Sequence, residues 1–190
     1  MKPNKEDPEN TQLLAALALA LVDRPRASLQ ELAKAVGVGK STLHRFSPTR
    51  EDLLNRLYRH NMMMVTQLIS DACLESCSPL GGLRALTEGS LQHPEVTAFI
   101  TYYWKYAGVP EANPTCLDLS YKHQMILDTF FLRGQKVGVF RIDITAATLT
   151  ELWFITVAGL LDAQRRGRIA RVGLGELIES TFLHGAGVKS

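Results

Sequence analysis

The stretch SLQELAKAVGVGKSTLHRF, residues 28–46, decides the fold of the N-terminal part of the chain. Ser28 and Glu31 have the spacing of a capping box, in which each side chain bonds the backbone N–H of the other, so a helix begins here. Apolar residues then recur at helical spacing and form one face: Leu29, Leu32, Ala33 and Val36. Gly37 follows, where a left-handed helix end favours glycine. A second short helix is predicted at about 39–46, which completes a helix-turn-helix.

The second helix of this motif is polar on one side. Val38 and Leu43 can anchor it to the first helix, which leaves Lys40, Ser41, Thr42, His44 and Arg45 facing outward. In a helix-turn-helix the second helix enters the major groove, so these side chains are predicted to contact phosphates or bases. The predicted DNA-binding set also contains residues at the starts of neighbouring helices: Ser28, Gln30, Thr49 and Arg50. A plain helical hairpin with a solvated polar face has the same spacing and is the alternative.

Composition places the chain among ordinary globular proteins. It has 190 residues, 46% of them hydrophobic, and a net charge of +2, with ten Lys/Arg against seven Asp/Glu in residues 1–60. No apolar run reaches about 18 residues, and the N-terminus is polar and acidic, so neither a membrane span nor a signal peptide is expected. Three sparse cysteines fit a reducing compartment, so the expected location is the cytoplasm.

Helical periodicity continues along nearly the whole sequence, and convincing strand patterns are missing. The prediction is an all-α protein of about nine helices: 10–23, two short helices in 28–46, then about 50–74, 80–91, 94–107, 115–136, 144–166 and 173–184. Between the last helices, GQKVGVFRID (134–143) is a loop that is briefly extended. The expected domains are a disordered arm at 1–9, a DNA-binding domain at 10–60, and a helical ligand-binding and dimerisation domain at 61–190.

Aromatic residues concentrate in the C-terminal domain. Eleven of the fourteen fall between Phe99 and Phe154. Such density predicts a cavity for a flat, apolar or cationic-amphiphilic molecule, because ligand pockets are mostly apolar with a few polar groups. A packed aromatic core is the alternative. The predicted ligand-binding residues are Phe99, Tyr103, Trp104, His123, Phe130 and Trp153, with Phe130 opposite Tyr103 and Trp104.

Two C-terminal helices are candidates for a homodimer interface. Residues 149–161, LTELWFITVAGLL, are apolar on nearly all sides, so this helix is expected to be buried on both flanks. The last helix carries a matching apolar stripe. The predicted interface consists of Val157, Leu160, Leu161, Leu174, Leu177, Ile178 and Phe182. The alternative is that both helices are internal core.

No cofactor or metal site is predicted. Cys73 and Cys77 lie four residues apart, which would place them on one helix face, but no further Cys or His stands nearby at ligand spacing. The sequence also lacks a glycine-rich phosphate loop, a metal-spaced His/Glu cluster and a nucleophile elbow, so an enzyme is not expected.

Residues 13–57 resemble the N-terminal domain of TetR-type repressors. The resemblance rests on AKAVGV (33–38), GKSTLHRF (39–46) and PTREDL (48–53) at the family's spacing. Three departures stand out. His44 occupies the position of the family's phosphate-contacting tyrosine, Phe46 is followed by Ser47 where the family has phenylalanine, and DRPR (23–26) replaces a Gly-Tyr turn. Residues 21–46, 130–147, 162–168 and 182–186 are also similar to one family member that represses a multidrug efflux operon.

The resemblance implies a ligand-responsive transcriptional repressor that binds a pseudo-palindromic operator in double-stranded DNA as a homodimer and controls an efflux operon. Two rivals remain at this point. One is a dimeric DNA-binding regulator without a small-molecule ligand, and the other is a helical interaction module without DNA binding.

Overall fold

The computed structural model describes residues 8–103 and 114–187. Regular structure within these residues consists of nine α-helices: α1 Pro8–Asp23, α2 Leu29–Ala35, α3 Lys40–Phe46, α4 Arg50–Asp71, α5 Pro79–Gln92, α6 Pro94–Tyr102, α7 Pro114–Lys136, α8 Ala146–Arg165 and α9 Leu174–Ala186. An isolated antiparallel bridge between Phe140 and Gly187 is the extended element predicted in the 134–143 loop. The all-α prediction is confirmed. Residues 104–107 of the predicted sixth helix lie outside the described residues.

Helix α4 begins as predicted but ends earlier. The Thr49 hydroxyl accepts a hydrogen bond from the Asp52 N–H at 3.0 Å, and Asp52 returns a bond to the Thr49 N–H, which forms a second capping box. The helix ends at Asp71, and Cys73 has a φ of 47°, which a continuing helix does not allow. Cys73 and Cys77 therefore lie in the turn after α4, and the expectation that they share a helix face is wrong.

Two hydrophobic clusters form the core. The first joins α1, α2, α3 and the first half of α4, and it also includes Phe99, Tyr102 and Tyr103 from the region of α6. Tyr103 stacks on Tyr58 of α4, with ring centroids 4.4 Å apart. The second cluster contains the second half of α4 and residues of α5, α7, α8 and α9. Because α4 contributes to both clusters, it connects the N-terminal helices to the rest of the chain.

By length and composition alone, α8 is apolar enough to cross a membrane, and it is the one such helix among the described residues. Helices from the cores of soluble proteins have the same composition. The side chains of Leu149, Trp153, Val157 and Leu161 on α8 are buried in the second cluster.

Candidate DNA-binding surface and ligand cavity

Helix α2 has the predicted capping box at its start and the predicted glycine turn after its end. The Ser28 N–H donates to Glu31 Oε2 at 2.7 Å, and the Glu31 N–H donates to Ser28 Oγ at 3.3 Å, so the predicted capping box is present. The bonds from the Ser28 N–H and hydroxyl lower the pKa of the Glu31 carboxyl. Gly37 has a φ of 74°, and the Val38 N–H bonds back to the Ala33 carbonyl at 3.0 Å. The turn therefore has the predicted left-handed glycine, which directs the chain into α3.

Helix α3 presents a polar surface. Leu43 is buried in the first cluster, and its packing there holds α3 against the other N-terminal helices. Five residues predicted to contact DNA are exposed: Lys40, Ser41, Thr42, His44 and Arg45. Gln30 on α2 is exposed as well. The structure thus brings the central predicted set together on one surface.

Two of the predicted DNA contacts make bonds inside the N-terminal helices. The Arg50 guanidinium donates from Nη1 to the Ala27 carbonyl and from Nη2 to the Pro25 carbonyl, both at 2.6 Å. The Thr49 hydroxyl donates to Asp52 Oδ2 at 2.6 Å. Arg50 therefore holds the turn between α1 and α2, and Thr49 holds the start of α4.

Arg56 of α4 fixes the end of α3 and was not predicted. Its Nη1 donates to the Phe46 carbonyl at 3.0 Å, and its guanidinium carbon lies 3.7 Å from the centroid of the Phe46 ring. An arginine in this position satisfies a free helix-end carbonyl and makes a cation–π contact at once. The ten-residue separation crosses a helix boundary, so no local spacing rule could pair these residues.

A cavity of about 240 Å³ lies between α4, α5, α6, α7 and α8. Its wall is mainly apolar and includes Met62, Val65 and Ile69 of α4, Val96 and Ile100 of α6, and Phe154 of α8. Two predicted ligand-binding residues, His123 and Trp153, line it. Glu151 also lines it and is exposed, which places a carboxylate at the edge of the cavity.

The other predicted ligand-binding residues lie elsewhere. Phe99 and Tyr103 belong to the first cluster with Tyr58, whereas Phe130 packs against Phe131 and Phe140 in the second. Tyr103 and Phe130 therefore do not face each other across the cavity, because their helices turn these rings into two different cores. Trp104 lies outside the described residues.

The surface of the cavity is mostly apolar, and some of its polar side chains are hydrogen-bonded within the protein. His123 Nε2 lies 2.8 Å from the Thr66 hydroxyl oxygen, and the Thr150 hydroxyl donates to Asp128 Oδ1 at 2.6 Å. Burial lowers the pKa of His123 below its ordinary value of 6.5, so its ring is neutral near pH 7. Trp153 is 6% exposed, and its indole Nε1 is buried without a hydrogen-bond partner. A ligand here would meet a mainly apolar wall that also carries polar side chains such as Gln124 and Glu151.

Contacts also join the cavity helices to the turn before α2. Arg165, at the end of α8, forms an ion pair with Asp23 at the end of α1. The Tyr102 hydroxyl of α6 lies 3.5 Å from the Pro25 carbonyl. The α1–α2 turn is therefore held from α4 by Arg50 and from α6 and α8 by these two residues.

The structure divides the predicted dimer residues. Five of them are buried within the chain's own second cluster: Val157, Leu161, Leu174, Ile178 and Phe182. Leu160 is half-buried, and Leu177 is 42% exposed. Leu152 and Ile155, which were not predicted, are exposed apolar residues on α8. A helix that is apolar on all sides does not reveal which face turns inward. Most of the residues predicted for the interface therefore lie on the inner face.

No group of three or more His, Cys, Asp and Glu side chains that could hold a metal ion occurs in residues 8–103 and 114–187.

No protein-family model matches the chain. It is 45% identical over 175 residues to the HTH-type transcriptional regulator NfxB of Pseudomonas aeruginosa, and the aligned part covers 92% of each sequence. It is also 36% identical over 104 residues, 52% of each sequence, to the HTH-type transcriptional repressor LfrR of Mycolicibacterium smegmatis.

Solved structures share the fold along nearly the whole chain. The TetR-like regulator LfrR from Mycobacterium smegmatis, solved with proflavine, superposes with a TM-score of 0.71 at 24% identity and covers 96% of this chain and 98% of its own. The ketosteroid regulator KstR2 of Mycobacterium tuberculosis gives a TM-score of 0.75 at 16% identity, with 97% and 98% covered.

Proposed function

The chain belongs to the TetR family of transcriptional regulators, and we propose that it is a cytoplasmic, homodimeric repressor of a multidrug efflux operon that releases its operator when a small molecule occupies the cavity. The efflux operon is inferred from the four segments that are similar to an efflux repressor. The effector is inferred to be apolar or cationic-amphiphilic, because the cavity wall is apolar and Glu151 stands at its edge.

The observation that carries the proposal is the double role of α4. Near its start, Arg56 fixes the end of the recognition helix α3 through Phe46. In its second half, Met62, Val65 and Ile69 form one wall of the cavity. A ligand that moves this wall therefore acts on the same rigid helix that positions α3. Allosteric control needs such an element with two arrangements that both sites can bias.

The dimer supplies the second recognition helix. A single half-site gives weak binding, whereas a two-fold dimer places two recognition helices one helical turn apart on a pseudo-palindrome. Leu152 and Ile155 of α8 and Leu177 of α9 are apolar and exposed in the single chain. We assign the interface to the outer faces of these two helices, with Leu177 and Leu160 kept from the sequence prediction.

Proflavine is a suitable first probe of the cavity, because the structurally similar LfrR was solved in complex with it. It is a flat aromatic cation, so its rings match the apolar wall and its charge could approach Glu151.

The DNA-binding surface is tested by the triple substitution Lys40→Ala, Thr42→Ala, His44→Ala. Fluorescence anisotropy with duplex DNA from the region upstream of the chain's own coding sequence should show tight, salt-dependent binding of the wild-type dimer and loss of it in the variant. Lys122→Ala removes a matched exposed charge on α7 and should leave binding unchanged. Unchanged affinity of the triple variant would contradict the assignment.

The sensor is tested by adding proflavine to the complex of protein and DNA. Release of the DNA at proflavine concentrations that leave the free duplex unaltered supports the proposal. If neither proflavine nor any compound that induces the regulated genes binds the protein, the ligand-free alternative replaces the sensor.

A further inference from the structure

Arginines from two distant parts of the sequence meet where the α1–α2 turn lies against the end of α8. We propose that they form a second DNA-binding surface, which contacts the phosphate backbone beside the base pairs that α3 reads. This arginine surface consists of Arg24 and Arg26 in the turn and Arg166 and Arg168 at the end of α8. The inference rests on the proposed DNA-binding function and extends it beyond the helix-turn-helix.

Positive charge concentrates in the two segments that build this surface. The sequences DRPR (23–26) and DAQRRGRIAR (162–171) together hold six arginines, two aspartates and no lysine, a net charge of +4. The whole chain has a net charge of +2, so the rest of it is net negative. Residues 28–50, which contain the helix-turn-helix, have a net charge of +3. The two segments are therefore at least as basic as the motif itself.

Contacts bring the two segments together. Arg165 forms an ion pair with Asp23, which lies 142 positions earlier in the chain. Pro25 borders two surface grooves. One groove is also lined by Arg165 and Arg166, and the other by Arg24 and Arg26. The arginines of the turn and those of α8 therefore adjoin the same short stretch of backbone.

The carboxylates of the region are already engaged. Asp162 accepts hydrogen bonds from Arg165 Nη2 and Arg166 Nε, both at 2.8 Å. Glu31 Oε2, beside the turn, accepts from the N–H and the hydroxyl of Ser28. These bonds stabilise the ends of α8 and α2, and they leave the arginine surface with an excess of positive charge.

Three of the arginines have no such structural role. Arg24, Arg26 and Arg168 are exposed, and within residues 8–103 and 114–187 their side chains form no hydrogen bond or ion pair. The dipole of a helix favours basic residues only in its last turn, and α8 ends at Arg165, so the dipole does not account for Arg168. The Arg168 N–H bonds to the Ala163 carbonyl at 2.9 Å, which fixes the backbone that presents this side chain.

The position of the turn favours DNA as the partner. The Ala27 N–H bonds to the Arg24 carbonyl at 3.0 Å, and Ser28 then begins α2 directly. In a helix-turn-helix the first helix crosses the DNA backbone while the second enters the major groove, so the turn before α2 lies close to phosphates. Guanidinium groups bind phosphate oxygens in pairs, which fits a surface made of arginine alone.

Single substitutions test the two halves of the surface in the full-length protein. Arg168→Gln and Arg26→Gln each remove one phosphate contact per protomer, which is two per dimer. Affinity is measured by fluorescence anisotropy at several KCl concentrations, with the duplex from upstream of the coding sequence and with an unrelated duplex of equal length. The slope of log affinity against log salt should become shallower by about 2 in each variant. Both duplexes should lose affinity by the same factor, because phosphate contacts carry no sequence information.

Two further variants serve as controls. Lys122→Gln removes an exposed positive charge from α7 and should keep the wild-type slope. Arg168→Lys keeps the charge and should restore most of the slope that Arg168→Gln loses. All the substituted side chains are exposed, so every variant should unfold at the wild-type urea concentration.

The outcomes separate this inference from the proposed function. If Arg168→Gln keeps the wild-type slope, or if Lys122→Gln flattens the slope equally, the arginine surface is overturned, whatever Arg26→Gln does. The proposed DNA-binding function still stands in that case, provided that the triple substitution in α3 abolishes binding. If the wild-type protein binds neither duplex, both the proposed function and this inference are overturned.

Discussion

Replacing Arg56 with Met should detach the end of the recognition helix from α4. The substitution keeps the apolar stem and removes two contacts, the 3.0 Å bond from Nη1 to the Phe46 carbonyl and the guanidinium 3.7 Å above the Phe46 ring. It leaves the packing of Leu43 in the first cluster in place.

The magnitude follows from the two contacts. A hydrogen bond from a charged donor contributes about 1.5–3 kcal/mol, and a partly desolvated cation–π contact adds roughly 1 kcal/mol. Against these, Arg56 Nε is buried without a partner, and its removal returns about 1 kcal/mol. We therefore expect the free energy of unfolding to fall by about 2 kcal/mol, as measured by urea unfolding followed by circular dichroism.

Matched variants separate this geometry from a simple change of charge. Arg59→Met removes an exposed charge from the same helix and should change the free energy of unfolding by less than about 0.5 kcal/mol. Arg56→Lys keeps the cation without the planar guanidinium and should recover about half of the loss. The reasoning is refuted if Arg56→Met is as stable as the wild type, or if Arg59→Met destabilises the protein equally.

Three further results are expected. Leu177→Arg should give monomers in sedimentation and abolish tight operator binding, because it places a charge on the apolar outer face of α9; a dimer of normal mass would place the interface elsewhere. Gly134→Ala should lower the free energy of unfolding, measured by thermal denaturation, by about 1–3 kcal/mol, because the added methyl group would overlap the Phe140 ring. An unchanged free energy of unfolding would show that the ring moves freely. Because burial lowers the pKa of His123, the unfolded chain takes up a proton first, and the free energy of unfolding should fall as the pH drops below about 6.5. His123→Leu should flatten that part of the profile, and an identical profile in both proteins would contradict it.

Local rules predicted the geometry of the helix-turn-helix. The Ser28 capping box, the left-handed Gly37 and the outward side of α3 all depend on residues within a few positions of one another, and the structure contains all three. Arg50 differs because its guanidinium reaches carbonyls more than twenty residues back in the chain. Sequence spacing indicated that Arg50 was a cation available to DNA, but it could not show that the carbonyls of the α1–α2 turn accept hydrogen bonds from it.

The cavity and the outer face of α8 were harder to predict. The density of aromatic residues indicated an apolar interior, but it could not show that Tyr103 and Phe130 belong to separate clusters while Trp153 borders the cavity. The all-apolar sequence of α8 likewise leaves the inner face undetermined. The packing of α7 and α9 against α8 determines which face of α8 is buried. As a result, Val157 is buried and Ile155 is exposed.

The central claim is that the cavity and α3 are coupled through α4, and reciprocal binding tests it most directly. Operator affinity is measured with and without saturating proflavine, and proflavine affinity is measured with and without saturating operator. Each ligand should weaken the binding of the other by the same factor, between about 5-fold and 150-fold. If proflavine binds tightly in the cavity and the operator affinity stays the same, the two sites are independent and the account is contradicted.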